Sequence, residues 1–505
     1  MKNTSLSKTR FMEGYRCPKL FWLRFNKPDL AAPVDAQTKH SFEVGHRVER
    51  LARELYPGGL LIGKEGEYSF TELVQETVNI MNSGMPHLFE AAFSVENLHC
   101  RTDVVSKDSV QDTWTLREIK MSTRVKPEHI DDAGFQCHCM EKSGLKVGRI
   151  YLVHVNNTYV RHGILEPDKM FIEEEITQAV YAEKPNIPRK VTSFLRLIGQ
   201  PDPPNVIPGT QCSQPGRCPF FDYCHQNIRP GSIFCLPYGS RIIPVLQNMG
   251  ITRLLDIPDD LELTERHRLL VKSAKLGKPL VDYRKIREFL SKLTYPIYYL
   301  DFETIQPCIP YYDGSSPYTK VPFQYSLHMQ KEKDGICTHA EFLSMDGYDP
   351  RKDLIDNLID SLGTHGTILA WKMSFEQSVL RHLGETFPEL EQKIQRLIER
   401  FMDLMIPFSS GWYTDVAFGG SSSLKRVLPV LVPSLSYDKM PIKNGEEASL
   451  IYELSLDSKM SKEDLAKTRA DMLQYCGLDT LAMVEILKAL YQAVDNQKTE
   501  QRRAR

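Results

Sequence analysis

The sequence predicts an α/β protein of more than one domain, and three observations carry that prediction. The chain has 505 residues, more than one hydrophobic core organises. Runs rich in β-branched and aromatic residues, of strand length, occur in two separate regions, with helical patterns around them. A Pro/Gly/Cys-rich stretch, PDPPNVIPGTQCSQPGRCPFFDYC, separates those regions and breaks both periodicities.

Taken in order, residues 1–235 open with helical patterns and continue through EAAFSVENLHCRTDVV, TWTLREIKM and VGRIYLVHV, which read as strands. Residues 236–292 read as short helices around the turn in NMGITRLLDIPDD. An ordinary helical linker is the simpler reading there, and a helix-hairpin-helix is the alternative. Residues 293–495 begin with TYPIYYLDFETI, a buried strand by its content, followed by VPFQYSLHMQ and GTILAWKMS as further strands. Helical patterns follow and end in KEDLAKTRADMLQYCGLDTLAMVEILKALYQAV, so strands lead and helices close an α/β layered domain. Residues 496–505 read as a charged, frayed tail.

Composition excludes little but narrows the class. A hydrophobic content of 41% with 25% charged residues is that of an ordinary globular protein. No run of eighteen apolar residues occurs, and the first residues lack a signal-peptide apolar stretch, so a cytoplasmic protein with no membrane partner is expected. The net charge of −2 gives no basic footprint for nucleic acid, although carboxylate metal sites would offset basic surface in the sum. Eleven cysteines make a disulfide framework an unlikely design for such a chain, and most should be buried thiols. Cys137 and Cys139 read as helix core.

The strongest local signal is Asp301-Phe302-Glu303-Thr304 at the end of an apolar strand. Alternation along a strand points Asp301 and Glu303 to one face, where two carboxylates repel unless cations sit between them. Tyr475 and Asp479 are four residues apart in a helical pattern, hence on one face one turn apart. Glu376 follows the strand-like ILAW, and Asp403 lies in RFMDLM as a competitor for the same role. Lys425, in the Ser-capped SSSLKRVLPVLVP, is a candidate phosphate contact, with a solvated lysine as the plainer reading.

These residues, in this order, resemble the DnaQ-like 3′–5′ exonucleases of RNase H-type fold. Asp301 and Glu303 match the first motif, Glu376 the second, and Tyr475 with Asp479 the tyrosine-type third. The resemblance implies two Mg²⁺ or Mn²⁺ ions clamping the attacking water and the leaving oxygen, with Tyr475 orienting the water. Two departures stand out: the middle acid is Glu rather than Asp, and Lys372 sits where many relatives carry Asn.

A second constellation precedes it. Asp103 is followed by Glu118-Ile119-Lys120, an E-x-K that places a carboxylate and an ammonium on one strand face. The acid can bind a metal while the lysine stabilises charge on the transferring group. Glu90 opens the preceding strand, and His46 and Glu49 share one helix face. Asp103, Glu118 and Lys120 resemble the core of the PD-(D/E)xK nucleases, in their RecB/AddB-like branch, and Gln136 matches a glutamine of that branch. The upstream metal-binding histidine of the branch falls on His46, with Glu49 competing for the slot.

Cys212, Cys218 and Cys224 repeat at C-x5-C-x5-C, which misses the C-x2-C signatures of zinc. Iron–sulfur members of the same branch hold a 4Fe–4S cluster with one early and three late cysteines, and Cys17 is the matching early thiol. Such a cluster would tie together the two ends of that domain. The alternatives are Zn²⁺, with Cys235 or His225 as fourth ligand, and buried free thiols.

Over nearly its whole length the chain therefore resembles an uncharacterised bacterial family fusing two nuclease modules: a PD-(D/E)xK restriction-endonuclease-like domain and an RNase H-like domain joined by a helical bridge. The implied activity is metal-dependent phosphodiester hydrolysis, with DNA favoured as substrate and RNA open. The rival expectations are a non-catalytic nucleic-acid-binding or scaffold protein with degraded sites, and a redox- or zinc-regulated partner protein.

Overall fold

A computed structural model of the chain describes residues 5–63, 68–108, 110–226, 228–457 and 460–503. It is mixed α/β, and its contacts divide it into two compact units. The first comprises residues 1–225 together with 307–319, and the second residues 226–306 and 320–505.

The first unit is built on one mixed sheet. Its main strands are β1 (His87–Val95), β2 (Leu98–Asp108), β3 (Thr113–Lys120), β4 (Val147–Val155) and β5 (Phe171–Glu175). They lie side by side in that order; β1, β2 and β3 form an antiparallel meander, β4 joins β3 in parallel, and β5 closes antiparallel. A parallel step needs a crossover, and helix α4 (Pro127–Lys142) supplies it between β3 and β4. Earlier in the chain come α1 (Lys8–Arg16), α2 (Pro18–Asn26) and α3 (Ala36–Arg53). The core on one side of the sheet joins Leu116, Ile150 and Leu152 to Phe135, Cys137 and Cys139 of α4, so those two cysteines are core residues as expected. Val48 and Ala52 of α3 pack on the other side against Val104, Ile119 and Val153.

The second unit has a five-stranded sheet formed by β6 (Ile297–Ile305), β7 (Val321–Gln330), β8 (Cys337–Leu343), β9 (Thr367–Ala370) and β10 (Phe401–Asp403). The spatial order is β8-β7-β6-β9-β10; the first three run antiparallel, and β9 and β10 extend from β6 in parallel. Helix α5 (Ser374–Thr386) belongs to the β9-to-β10 crossover, and α6 (Leu424–Leu431), α7 (Gly445–Asp457) and α8 (Lys462–Arg503) follow. Leu300 and Phe302 of β6 meet Ile368 of β9 and Val379 and Leu383 of α5 in the core. Among the described residues, no helix is long and apolar enough to cross a membrane.

Two boundaries differ from the sequence reading. The segment expected as a separate bridge, 236–292, is helical but belongs to the second unit. Leu280–Val281 pairs with Tyr413–Thr414, and Asp282 donates its backbone N–H to Trp412 at 2.7 Å, which fastens the bridge to this unit. The tail expected to fray from residue 496 continues α8 to Arg503.

Candidate metal centre and a second acidic site

Strand β6 lies in the middle of its sheet, and its alternation aims Asp301 and Glu303 to one face, opposite Ser326 and Gln324 of β7. Helix α8 passes over that face carrying Tyr475, Cys476 and Asp479, and α5 presents Glu376 from its first turn. The 3.6-residue period puts Cys476 and Asp479 on neighbouring positions of α8. The structure thus brings Asp301, Glu303, Glu376 and Asp479 into one electrostatic group, with Glu303, Glu376 and Asp479 buried.

Burial and mutual repulsion dominate this group. Burial, then the charge of Asp479, holds the Asp301 carboxyl well above the usual carboxylate range. Glu303 is raised by burial and by Asp301 and Asp479, and Glu376 by burial and Asp301. Asp479 is pushed up to about 6 by burial, against the pull of the Tyr437 hydroxyl, Lys425 and Tyr475. Such a set is unfavourable as bare anions and needs protons or cations.

The donor set fits a metal. Oxygens of Asp301 and Glu303 and the Cys476 sulfur lie within 4.8 Å of one another. Glu376 is 2% exposed, yet its Oε2 has no hydrogen-bond partner among the described residues, a costly arrangement unless something else binds there. Gly445, first residue of α7, leaves room beside Glu303: a Cβ there would stand 3.3 Å from Oε2.

The surrounding side chains orient the group. Tyr437 donates its hydroxyl to Asp479 Oδ1 at 2.5 Å. Lys425 Nζ donates to the Tyr475 hydroxyl at 2.9 Å and to the Lys443 carbonyl at 2.6 Å, so it is not a freely solvated lysine. Asp403, the competitor of Glu376, accepts the backbone N–H groups of Lys372 (3.0 Å) and Met405 (2.9 Å) and holds the loop that precedes α5. Lys372 has a positive φ of 70°, a conformation that Asn tolerates better than Lys.

The first unit gathers a different kind of site. Glu118 of β3 is 1% exposed and accepts from Lys8 (2.8 Å), Lys120 (2.5 Å) and Gln136 (2.7 Å). Asp132 of α4 takes a second bond from Lys120 at 2.8 Å and one from Gln136 at 2.9 Å. Burial alone would depress both ammonium groups, but Asp132 and Glu118 outweigh it and raise Lys8 and Lys120. Asp103 accepts the Ile119 N–H at 2.7 Å, and burial lifts its carboxyl.

Glu90, at φ 58°, is passed over in an otherwise continuous β1–β2 register between Phe89↔Val104 and Ala91↔Thr102, and it is bonded to Arg53 at 2.7 Å and paired with Arg101 at 3.3 Å. From α3 it is Glu49 that faces this acidic group, raised by burial and by Glu90. His46, expected as the ligand, is exposed one turn away on the same helix. Glu118, Asp132 and Glu90 thus already have protein cations as partners.

Cys17 caps the N-terminus of α2, accepting the Leu20 N–H at 3.5 Å. The Cys218 and Cys224 thiols, raised by burial, each feel Cys212 and Cys17, so the four expected cluster cysteines are mutual neighbours. Among the described residues no three of these sulfurs come within 4.8 Å of one another, whereas four 2.3 Å bonds to one tetrahedral zinc separate sulfurs by about 3.8 Å. The Cys235 thiol donates to the Arg229 carbonyl, and His225 stacks on Phe221.

Sequence reasoning missed Cys476, Tyr437, Lys8 and Asp132. Cys476, three residues before Asp479, and Asp132, four before Gln136, carried local signals, since each shares a helix face with its partner.

A family model described as "Domain of unknown function (DUF2779)" matches residues 298–423, which hold Asp301, Glu303, Glu376 and Asp403 but not Tyr475 or Asp479. The chain is similar to the uncharacterized protein MG366 homolog of Mycoplasma pneumoniae, 26% identical over 232 residues, covering 42% of this chain and 35% of the relative. It is similar also to uncharacterized protein MG366 of Mycoplasma genitalium, 22% identical over 40% of this chain and 33% of the relative. A third relative, uncharacterized protein UU173 of Ureaplasma parvum, is 23% identical over 43% of this chain and 34% of its own length. The chain spans about a third of the length of the curated relatives it matches.

Proposed function

We propose that the chain is a metal-dependent nuclease that hydrolyses nucleic-acid phosphodiesters, chiefly at the Asp301–Glu303–Glu376–Asp479 cluster. The observation that carries the reading is the cluster itself: buried carboxylates from a strand and two helices repel one another, and one buried oxygen of Glu376 has no partner among the described residues. Two Mg²⁺ or Mn²⁺ ions, when bound, would activate a water and stabilise charge on the phosphate. Asp301, Glu303, Glu376 and Asp479 would hold them. Tyr475, its hydroxyl fixed by Lys425, is placed to orient the water, and Tyr437 keeps Asp479 turned toward the group. The antiparallel meander extended by parallel strands on crossover helices is compatible with the RNase H-type frame of the DnaQ-like resemblance.

The first unit supports a second, PD-(D/E)xK-type module. Asp103, Glu118, Lys120 and Gln136 converge where a three-strand meander meets its crossover helix. The neighbouring thiols of Cys17, Cys212, Cys218 and Cys224 support a 4Fe–4S cluster, with Zn²⁺ as the alternative. DNA is the favoured partner and RNA the alternative, and a cytoplasmic setting goes with both.

The test is to compare wild type with Asp301→Asn and Glu118→Gln, each on labelled single- and double-stranded DNA and RNA with Mg²⁺ or Mn²⁺. Cleavage abolished by Asp301→Asn supports the reading. Binding without cleavage in wild type favours a non-catalytic nucleic-acid-binding protein.

A further inference from the structure

The carboxylate cluster contains a group that hard-cation chemistry does not need. The Cys476 sulfur is fully buried and lies 3.7 Å from Asp301 Oδ2, inside the same 4.8 Å group as Glu303. Magnesium has little affinity for thiols, and manganese only modest affinity, whereas zinc and cadmium bind them firmly. The separation fits shared coordination: one tetrahedral ion with a 2.3 Å bond to sulfur and a 2.1 Å bond to oxygen places the two donors about 3.6 Å apart. An independent feature points to a ligand here, namely the unpartnered Oε2 of Glu376, whose carboxyl senses Asp301 directly.

We infer that Asp301, Glu303 and Cys476 form a thiophilic site that captures Zn²⁺ in preference to Mg²⁺ or Mn²⁺, and that zinc bound there displaces the ions of the hydrolytic reaction. This rests on the proposed metal-binding role of the cluster and adds a selectivity to it. The ligating species is the thiolate, so capture releases the Cys476 proton to solvent as the Zn–S bond forms, with no change of oxidation state. Zinc held there would act as an inhibitor by taking the Asp301 and Glu303 carboxylates that the ions of the hydrolytic reaction require.

The experiment uses the full-length protein and follows bound Mn²⁺ by electron paramagnetic resonance while Zn²⁺ is added. Manganese reports on the carboxylates and is blind to zinc held by distant cysteines. Cys476→Ser is compared with wild type, Asp301→Asn identifies the Mn²⁺ signal of this site, and Cys476→Ala checks that any change is not due to the new hydroxyl. The expected result is a ratio of zinc to manganese affinity about tenfold lower in both Cys476 variants than in wild type. A fall of less than about threefold overturns the inference while leaving the metal site standing. If Asp301→Asn binds as much manganese as wild type, the underlying metal-site reading fails, and this inference with it.

Discussion

The Lys425 ammonium donates to the Tyr475 hydroxyl at 2.9 Å while standing 4.8 Å from the centre of the same ring. One lysine therefore fixes both the position and the lone-pair direction of the phenol beside the acidic cluster. Burial, then Asp479 and Glu303, raises that phenol far above its ordinary value, so it stays protonated and acts as a donor rather than as a base.

The first prediction concerns this pair. Tyr475→Phe should lower kcat for metal-dependent cleavage by about 10²-fold, the scale of a lost positioned donor. Lys425→Met should lower it by less, and the double variant should be no worse than Tyr475→Phe, since the two act as one unit. Steady-state kinetics on a labelled oligonucleotide checks this; fully multiplicative losses would separate the two roles.

A second prediction follows from the raised carboxyls. Between the unfolded carboxylate value of about 4 and the folded value of about 6 for Asp479, the native state binds more protons than the unfolded one. Stability of the metal-free protein must therefore fall as pH rises through that window, with Asp301, Glu303 and Glu376 extending the fall upward. Divalent ions replace the protons, so the rise in Tm on adding Mn²⁺ should be larger at about pH 8 than at about pH 5. Thermal unfolding with and without Mn²⁺ at the two pH values measures it.

A third prediction concerns Glu118. It is buried against Lys8 and Lys120, so Glu118→Ala leaves two ammonium groups with Asp132 and Asp103 for compensation. Destabilisation by about 3–5 kcal/mol is expected, with or without Mn²⁺, and Glu118→Gln should cost less. Urea unfolding of the two variants decides it.

The four thiols give a fourth prediction. Protein purified without oxygen should contain iron and sulfide and show broad visible absorption, and Cys17→Ser or Cys218→Ser should remove both. Chelation should lower Tm, because the cluster ties α2 to the later cysteines. A colourless protein carrying one zinc would contradict this assignment.

How much of this was legible in the sequence depends on the range of the interaction. Asp301 with Glu303, and Tyr475 with Asp479, are separated by one strand or helix repeat, so local periodicity places them on common faces. The main strands were readable for the same reason. Tyr437 is 42 positions from Asp479, and Lys8 is 110 from Glu118, and no local pattern encodes such pairings. The anchoring of the helical bridge was equally silent, because it depends on a two-residue strand too short to show alternation. Glu49 and His46 share a helix face, so sequence could offer both, and only the packing of α3 selects Glu49 as the one facing Glu90.

Anomalous diffraction from a crystal soaked in Mn²⁺ tests the central claim most directly. The account predicts two manganese peaks ligated by Asp301, Glu303, Glu376 and Asp479, both absent from Asp301→Asn. A wild-type map with no manganese among those four carboxylates would contradict it.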